Sequence, residues 1–369
     1  MKWNRFGLKI ASVIASCIIG ILLFEVVYRY CFKQESETKH KWDQRFMLFS
    51  NENGGSAFRN IEGFFTYQPS TRIHSKTYYF VDDKWVKEYD YFIPINNFGL
   101  VQTNDIRTGV PSMLLLGDSF TEGQGAPPWF ESFRATYLHK DLQLINGGLL
   151  GTGFDQWRHL HDHLLQSGII IKRLVVVFIT DDTTRRVWNV KSNIHDCIAD
   201  YRRCLGDESF YGLPDDSKLD RHLEKLRSYR EEYFSKKEHM ASKTTKKILG
   251  EWLPATRLVY QAAREYLQTM TSKGASQTLP SRKVIQQFIE TYKSEVLFIH
   301  IPAKDEKLNH IGRKTRKDIQ TYGGEYYDGY ALCNLTREDY FQHDGHLNPN
   351  GYSKISACVT DAVNKKWPR

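Results

Sequence analysis

Four short apolar runs punctuate the chain: SMLLLG at 112–117, LQLING at 142–147, RLVVVFIT at 173–180 and EVLFIHIPA at 295–303. Each is too short for a buried helix and rich in branched residues, which predicts strands buried on both faces. Between and after them stand stretches with helical spacing. WFESFRATYLHK follows the first run, GFDQWRHLHDHLLQSG at 153–168 ends on Gly168, and NGYSKISACVTDAVNKKW closes the chain from about 350 to 367. Apolar strands alternating with helices predict an α/β fold with a central parallel sheet covered by helices. Reactive groups in such sheets gather at the carboxyl ends of the strands.

Two other regions depart from this rhythm. Residues 61–104 are aromatic and alternating, as expected of a small β layer of short strands and turns. Between Asp182 and Pro280 the text becomes charged with helical periodicity, so a helical insertion is expected over about 190–280. It can be a cap over a substrate pocket or a solvated excursion, and spacing does not choose between them.

The chain begins MKWNRFGLK and then runs IASVIASCIIGILLFEVVY from Ile10 to Tyr28, broken only by Glu25. At about 1.5 Å per residue such a helix nearly spans ~30 Å of hydrocarbon, with Tyr28, Arg29 and Tyr30 as an interfacial anchor. A cleaved signal peptide shares the basic start and apolar stretch, but no small-x-small site follows Phe24. Residues 1–33 therefore read as a single-pass membrane anchor and 34–60, polar and Gly/Asn-rich, as a linker. Basic flanks favour a cytoplasmic N-terminus, which puts residues 61–369, the main domain, on the periplasmic or extracellular side.

Composition adjusts this picture modestly. The chain's 369 residues, 41% hydrophobic, suffice for a large core, and its net charge of +8 comes from 51 basic residues spread among 43 acidic ones. No basic stripe, zinc-finger spacing or RNA-binding aromatic motif occurs, so nucleic acid is not an expected partner. Of six cysteines, Cys17 lies in the anchor and Cys31 just beyond it. Cys197 with Cys204, and Cys333 with Cys358, are spaced for disulfides; free buried thiols are the alternative.

The first apolar run ends in LLLGDSFTEGQG. A turn at Gly117 would hold Ser119 at the sheet's carboxyl edge beside free backbone amides, as a nucleophile requires; the plain alternative is a helix N-cap. Near the C-terminus stands DYFQHDGHLNPNGYSKIS, where Asp344 and His346 are two apart. On a loop this spacing lets the carboxylate reach Nδ1 and leaves Nε2 for a serine. His343 is a rival base that precedes the carboxylate. HLHDH at 159–163 sets His159 and His163 on one helical face, but no third ligand or HExxH glutamate is near, so no metal is expected there. His300, within LFIHIPA, reads as a core histidine. No Walker loop, dinucleotide fingerprint or GxSxG elbow is present.

GDSFTEGQG, NGGLLGTG, VVVFITDD and DGHLNPNGY stand in the order and rough spacing of four motif blocks, so the chain resembles the SGNH, or GDSL-type, hydrolase superfamily. The resemblance covers about 95–365 without the helical insertion. INNFGLVQTND and the anchor's FEVVYR exit look like membrane-attached bacterial members. It implies a three-layer α/β/α fold, Ser119 as nucleophile, His346 as general base and Asp344 as its orienting acid, with no cofactor. The D-x-H spacing resembles the variant found among envelope polysaccharide esterases and acetyltransferases. By the same resemblance the oxyanion hole uses the Ser119 and Gly151 amides, and Asp181 occupies the place of the family's third donor, an Asn side chain. A carboxylate aimed at a developing oxyanion would repel it, and losing one such donor costs about 2.7–4 kcal/mol. Either Asp181 is protonated or turned away, or Thr180 or another group donates instead.

These readings lead to a membrane-anchored serine esterase acting on O-acyl, including O-acetyl, groups of an envelope glycan or lipid. The alternatives are an O-acyltransferase with the same triad, which would need a membrane partner subunit to deliver its donor, and a non-catalytic glycan-binding or assembly protein.

Overall fold

The structure, a computed structural model, describes residues 45–185 and 279–368 apart from 62–63 and 138–140, together with Gly20 and residues 220, 221, 223, 224 and 228. The expected anchor apart from Gly20, the Cys197 and Cys204 pair and most of the 190–280 insertion lie outside these residues. Among the described residues no helix is long and apolar enough to cross a membrane. The chain divides into two compact units, 1–44 with 218–277 and 45–217 with 278–369. Among the described residues the second unit holds the three sheets and the helices named below.

An N-terminal β layer comes first. Strands β1 (Arg45–Asn51), β2 (Phe58–Ile61), β3 (Phe64–Tyr67), β4 (Thr71–Val81) and β5 (Lys84–Ile95) pair antiparallel, as a β1-β4-β5 sheet and a β2-β3 hairpin. The layer therefore includes residues from Arg45 on, inside the stretch read as linker. RFMLFSN lacks the alternation of a free strand, and it is pairing with β4 that makes it one.

The main sheet follows. β6 (Pro111–Gly117) leads into the one-turn α1 (Ser119–Glu122) and α2 (Trp129–Thr136); β7 (Gln143–Gly148) leads into α3 (Phe154–Gln166); β8 (Ile170–Phe178) ends in a 3-10 turn at Thr180–Thr183. Then come α4 (Pro280–Tyr292), β9 (Val296–His300), α5 (His310–Thr321), β10 (Glu325–Asp328), the short α6 (Gly329–Leu332) and α7 (Pro349–Lys366). Five parallel strands run in the order β10-β9-β8-β6-β7. The fold is thus mixed α/β with a central parallel sheet flanked by helices, compatible with the expected three-layer class. β10 escaped the strand pattern because EYYD is a short edge strand with no apolar run.

Successive strand residues serve opposite faces. Leu114, Leu116, Val176, Phe178 and Phe298 join a core with Trp157 of α3 and Phe288 of α4, while Met113, Leu115, Val177 and Ile299 join another with Phe133 of α2 and Val359 of α7. Fully burying one such side chain contributes about 1.5–3 kcal/mol. The β layer packs into the first core through Phe64, Tyr67, Ile73, Tyr89 and Ile93. Cys333 and Cys358 form a disulfide that ties the segment after α6 to α7, which decides that alternative; their separation is 25 residues.

From β6 the chain steps to β7 on one side, and from β8 to β9 on the other. The carboxyl ends of β6 and β8 therefore flank a topological switch point, where α/β sheets open a crevice. One junction there is especially tight. A methyl group on Gly148 would overlap the Glu122 amide nitrogen and stand 2.5 Å from the Thr121 carbonyl carbon, both backbone atoms that cannot rotate aside. Gly148→Ala is expected to destabilise the protein by about 1–3 kcal/mol, read as a lowered urea midpoint; an unchanged midpoint would show that α1 does not press on β7.

Candidate active site

β6 delivers the chain to the crevice, and the first polar residue caps the turn. Asp118 Oδ1 accepts from the Phe120 amide at 2.9 Å, and its carbonyl accepts from the Thr121 and Glu122 amides at 3.1 and 2.9 Å. Capping falls to Asp118, which leaves the hydroxyl of its neighbour uncommitted to the helix. Ser119 Oγ instead lies 2.7 Å from His346 Nε2. Both residues are buried, as is Asp344.

His346 comes from the loop before α7. Asn348 shapes the exit: its Oδ1 accepts from the Asn350 and Gly351 amides, and Pro349 fits the first helical turn, where no amide donor is needed. Phe341 N donates to His346 O at 2.9 Å, and Lys304 Nζ donates to the carbonyls of Phe341 and Gln342 at 2.6 and 2.8 Å. On this pinned loop His346 Nδ1 meets Asp344 Oδ1 at 2.7 Å. His343, the rival, packs its ring against Tyr79 with centroids 6.2 Å apart, so the nitrogen that reaches Ser119 is that of His346.

The other Asp344 oxygen is met from the β layer. Tyr89 OH donates to Oδ2 at 3.0 Å, and Arg45 Nη1 stands 3.6 Å from it. Burial pushes the Asp344 carboxyl up, but His346, Arg45 and Tyr89 outweigh it and hold the group well below the usual carboxylate range. Gln124 Nε2 donates to Tyr89 OH at 2.6 Å and fixes that phenol. Neither Arg45, from an apparent linker, nor Tyr89, from an alternating strand, carries a sequence signal of this role. Pairing of β1 with β4 and of β4 with β5 brings them there.

Across the crevice the turn after β7 offers backbone donors. Gly151 has φ +70, the left-handed region, with open space where a Cβ would be, so glycine serves the backbone conformation there. Among the described residues neither the Ser119 nor the Gly151 amide donates a hydrogen bond. Asp181 does not complete the pair as expected: it is exposed on the 3-10 turn, with its carbonyl accepting from Thr184 N at 3.1 Å. Its neighbour Asp182 takes the buried position. One Asp182 oxygen accepts from Ile179 N at 3.0 Å, and the other stands 3.1 Å from Arg185 Nη1, which also lies 3.1 Å from Asp118 Oδ2 and donates to Thr152 O at 3.0 Å. Burial and the adjoining Asp118 push Asp182 above the usual carboxylate range, against Arg185. Thr180 is also engaged, its Oγ1 lying 3.1 Å from His300 Nε2 and 3.2 Å from Tyr330 OH. Burial lowers the His300 ring to about 3 and keeps it neutral, in keeping with a core histidine.

The histidines of HLHDH make separate structural contacts, His159 Nε2 lying 3.0 Å from Arg158 Nη2. His161 Nε2 lies 2.6 Å from Tyr292 OH, and His163 packs edge-on against Phe64. Among the described residues no three His, Cys, Asp or Glu side chains gather as a metal ion would need.

Together, a serine hydroxyl on an imidazole nitrogen, the imidazole's other nitrogen on an ionised carboxylate, and two uncommitted amides supply the parts for moving a proton and receiving negative charge. No protein-family model and no curated protein matches this chain. Among solved structures it is similar to that of the protein YxiM from Bacillus subtilis, at 8% identity and a TM-score of 0.39, over 88% of this chain and 78% of that one.

The depressed Asp344 carboxyl links stability to pH. Its contribution is complete above the unfolded value of about 3.9 and is lost as pH falls toward the lower folded value. Asp344→Asn is expected to lower stability by roughly 1.5–3 kcal/mol at pH 7, as for a hydrogen bond to a charged group. Urea midpoints of the two proteins should draw closer at pH 3; a pH-independent gap would mean that Asp344 is not held ionised.

Proposed function

We propose that this chain is a serine hydrolase of the SGNH type acting on ester bonds. The reading rests above all on the 2.7 Å contact of Ser119 Oγ with His346 Nε2, continued at 2.7 Å from His346 Nδ1 to Asp344 Oδ1, at the switch point of a parallel sheet. Ser119 Oγ attacks the ester carbonyl carbon as His346 Nε2 takes its proton, while Asp344 steadies the imidazolium. The carbonyl oxygen, now negative, is received by the Ser119 and Gly151 amides. Collapse breaks the bond to the alcohol, which leaves with the proton from His346. Water, deprotonated by His346, then attacks the acyl-enzyme and releases the acid and the serine.

The substrate class we favour is an O-acyl, including O-acetyl, ester of an envelope glycan or lipid, met at a membrane through the 10–28 segment, with the N-terminus cytoplasmic and the catalytic unit periplasmic or extracellular. The Cys333–Cys358 disulfide supports an oxidising compartment. An O-acyltransferase would use the same residues and pass the acyl group to a sugar hydroxyl. The non-catalytic reading drew its support from a carboxylate at the oxyanion, and the exposure of Asp181 on its turn weighs against that placement.

Wild type is expected to react with a fluorophosphonate probe and to hydrolyse p-nitrophenyl acetate. Ser119→Ala should lose labelling and fall by roughly 10³-fold or more in kcat. Wild type that neither labels nor exceeds Ser119→Ala would sink the hydrolase reading, and acyl transfer to an added glycan in preference to water would move it to the transferase. Asp181→Asn is expected to leave kcat within about twofold, because Asp181 is exposed on the 3-10 turn, whereas gaining or losing a working oxyanion donor changes kcat by about 10²–10³. A large rise would put that carboxylate back at the oxyanion.

A further inference from the structure

Glu122 closes α1 and is almost fully buried, yet the proton transfers above do not use it. Among the described residues no cation lies within ion-pair distance of its carboxyl. Two hydrogen bonds hold it instead: Tyr67 OH of β3 lies 2.8 Å from Oε1, and the Leu150 amide donates to Oε2 at 2.6 Å.

The second bond falls in the turn that ends at the Gly151 amide. Leu149 N donates to Gly117 O at 3.1 Å, Leu150 N to Glu122, and Thr152 N to Leu149 O at 3.3 Å. Thr152 Oγ1 tightens the same turn, donating to Leu149 O at 2.6 Å while accepting from Trp157 Nε1 at 2.9 Å. Of four successive amides, three are committed and Gly151 is left over, in a left-handed conformation that the flanking bonds define. Without the Glu122 acceptor the Leu149–Leu150 peptide would be held only through its carbonyl, by Thr152, and the loosened backbone at Leu150 would let the next peptide, which carries the Gly151 N–H, tilt. Since α1 abuts β7 at Gly148, the carboxyl has a fixed base from which to reach Leu150.

We propose that Glu122 is the positioning residue of the oxyanion hole: its carboxyl, held by Tyr67, pins the Leu150 peptide so that the Gly151 amide stays available to the oxygen of a substrate carbonyl at Ser119. This rests on the serine-hydrolase reading. The carboxyl must also be neutral to serve well, because an ionised one would set a negative charge one peptide away from the forming oxyanion. The groups that face it are Tyr67 from β3, Tyr91 from β5, Asp118 before α1 and Tyr352 from α7, none of them a cation. Burial pushes Glu122 up to about 8, so at neutral pH it is neutral, its proton lying in the contact between Oε1 and the Tyr67 hydroxyl, and it ionises just above.

The full-length protein tests this with p-nitrophenyl acetate from pH 6 to 9.5, the rate of Ser119→Ala being subtracted, and with fluorophosphonate labelling. Glu122→Ala is expected to lower kcat about 10- to 100-fold with KM within about twofold, since it misplaces one donor worth 10²–10³. Glu122→Gln keeps an acceptor for Leu150 and does not titrate. It should retain kcat within about threefold at pH 7 and lose a fall in kcat that wild type shows near pH 8. Folded Glu122→Ala with wild-type kcat, or Glu122→Gln that keeps the alkaline fall, overturns the proposal. If Glu122→Ala does not fold, the Glu122→Gln profile decides alone. Wild type without Ser119-dependent labelling overturns the hydrolase reading and this one with it, whereas labelled wild type matched by Glu122→Ala overturns only the role of Glu122.

Discussion

A carboxylate buried as deeply as Asp344 is costly unless every lone pair finds a donor, and much of the molecule is arranged around meeting that cost. One oxygen is met by the imidazole two residues along, which fixes the ring. The other is met by Tyr89 and Arg45, from strands separated from it by most of the chain. A bare carboxylate there would take up a proton or draw in water, and the ring would lose its orientation. The β layer is for this reason part of the site's frame and not an appendage on the sheet.

The same layer reaches the opposite wall of the crevice through Tyr67. Its phenol holds Glu122, Glu122 holds Leu150, and the turn leaves one amide unspent. Two buried acids thus sit behind the candidate nucleophile with opposite charge states. Asp344 is ionised because donors surround it, and Glu122 is neutral at pH 7 because burial outweighs its two hydrogen bonds. Environment, and not residue type, separates them. A third acid, Asp182, shares Arg185 with Asp118 and ties the turn after β8 to the turn after β6, so both lips of the switch-point crevice are clamped by one guanidinium.

Hydrogen-bond economy explains why similar residues have different assignments. Asp118 takes the cap and frees Ser119; His343 turns to Tyr79 and leaves Ser119 to His346; Asp182 goes inward and Asp181 outward. In each case two neighbours of similar chemistry compete for one place. The backbone direction at that residue settles the contest.

Local signals in the sequence were enough to mark β6, β7, β8 and β9, the helices α2, α3 and α7, and Ser119, Asp344 and His346 as candidates, while Gly151 came only from the resemblance of the motif blocks. Alternation, end signals and short spacings are written within a few residues of one another. The edge strand β10, the extension of the β layer back to Arg45 and the exposure of Asp181 were not legible, because each depends on what packs beside the segment. Nor could the chain's text bring Ser119 to His346, 227 positions away, or reveal Arg45, Tyr89 and Glu122 behind them. Those contacts arise only when β6 takes its place between β7 and β8 and the β layer closes on the sheet, since hydrogen bonds between distant residues leave no periodic trace in either partner.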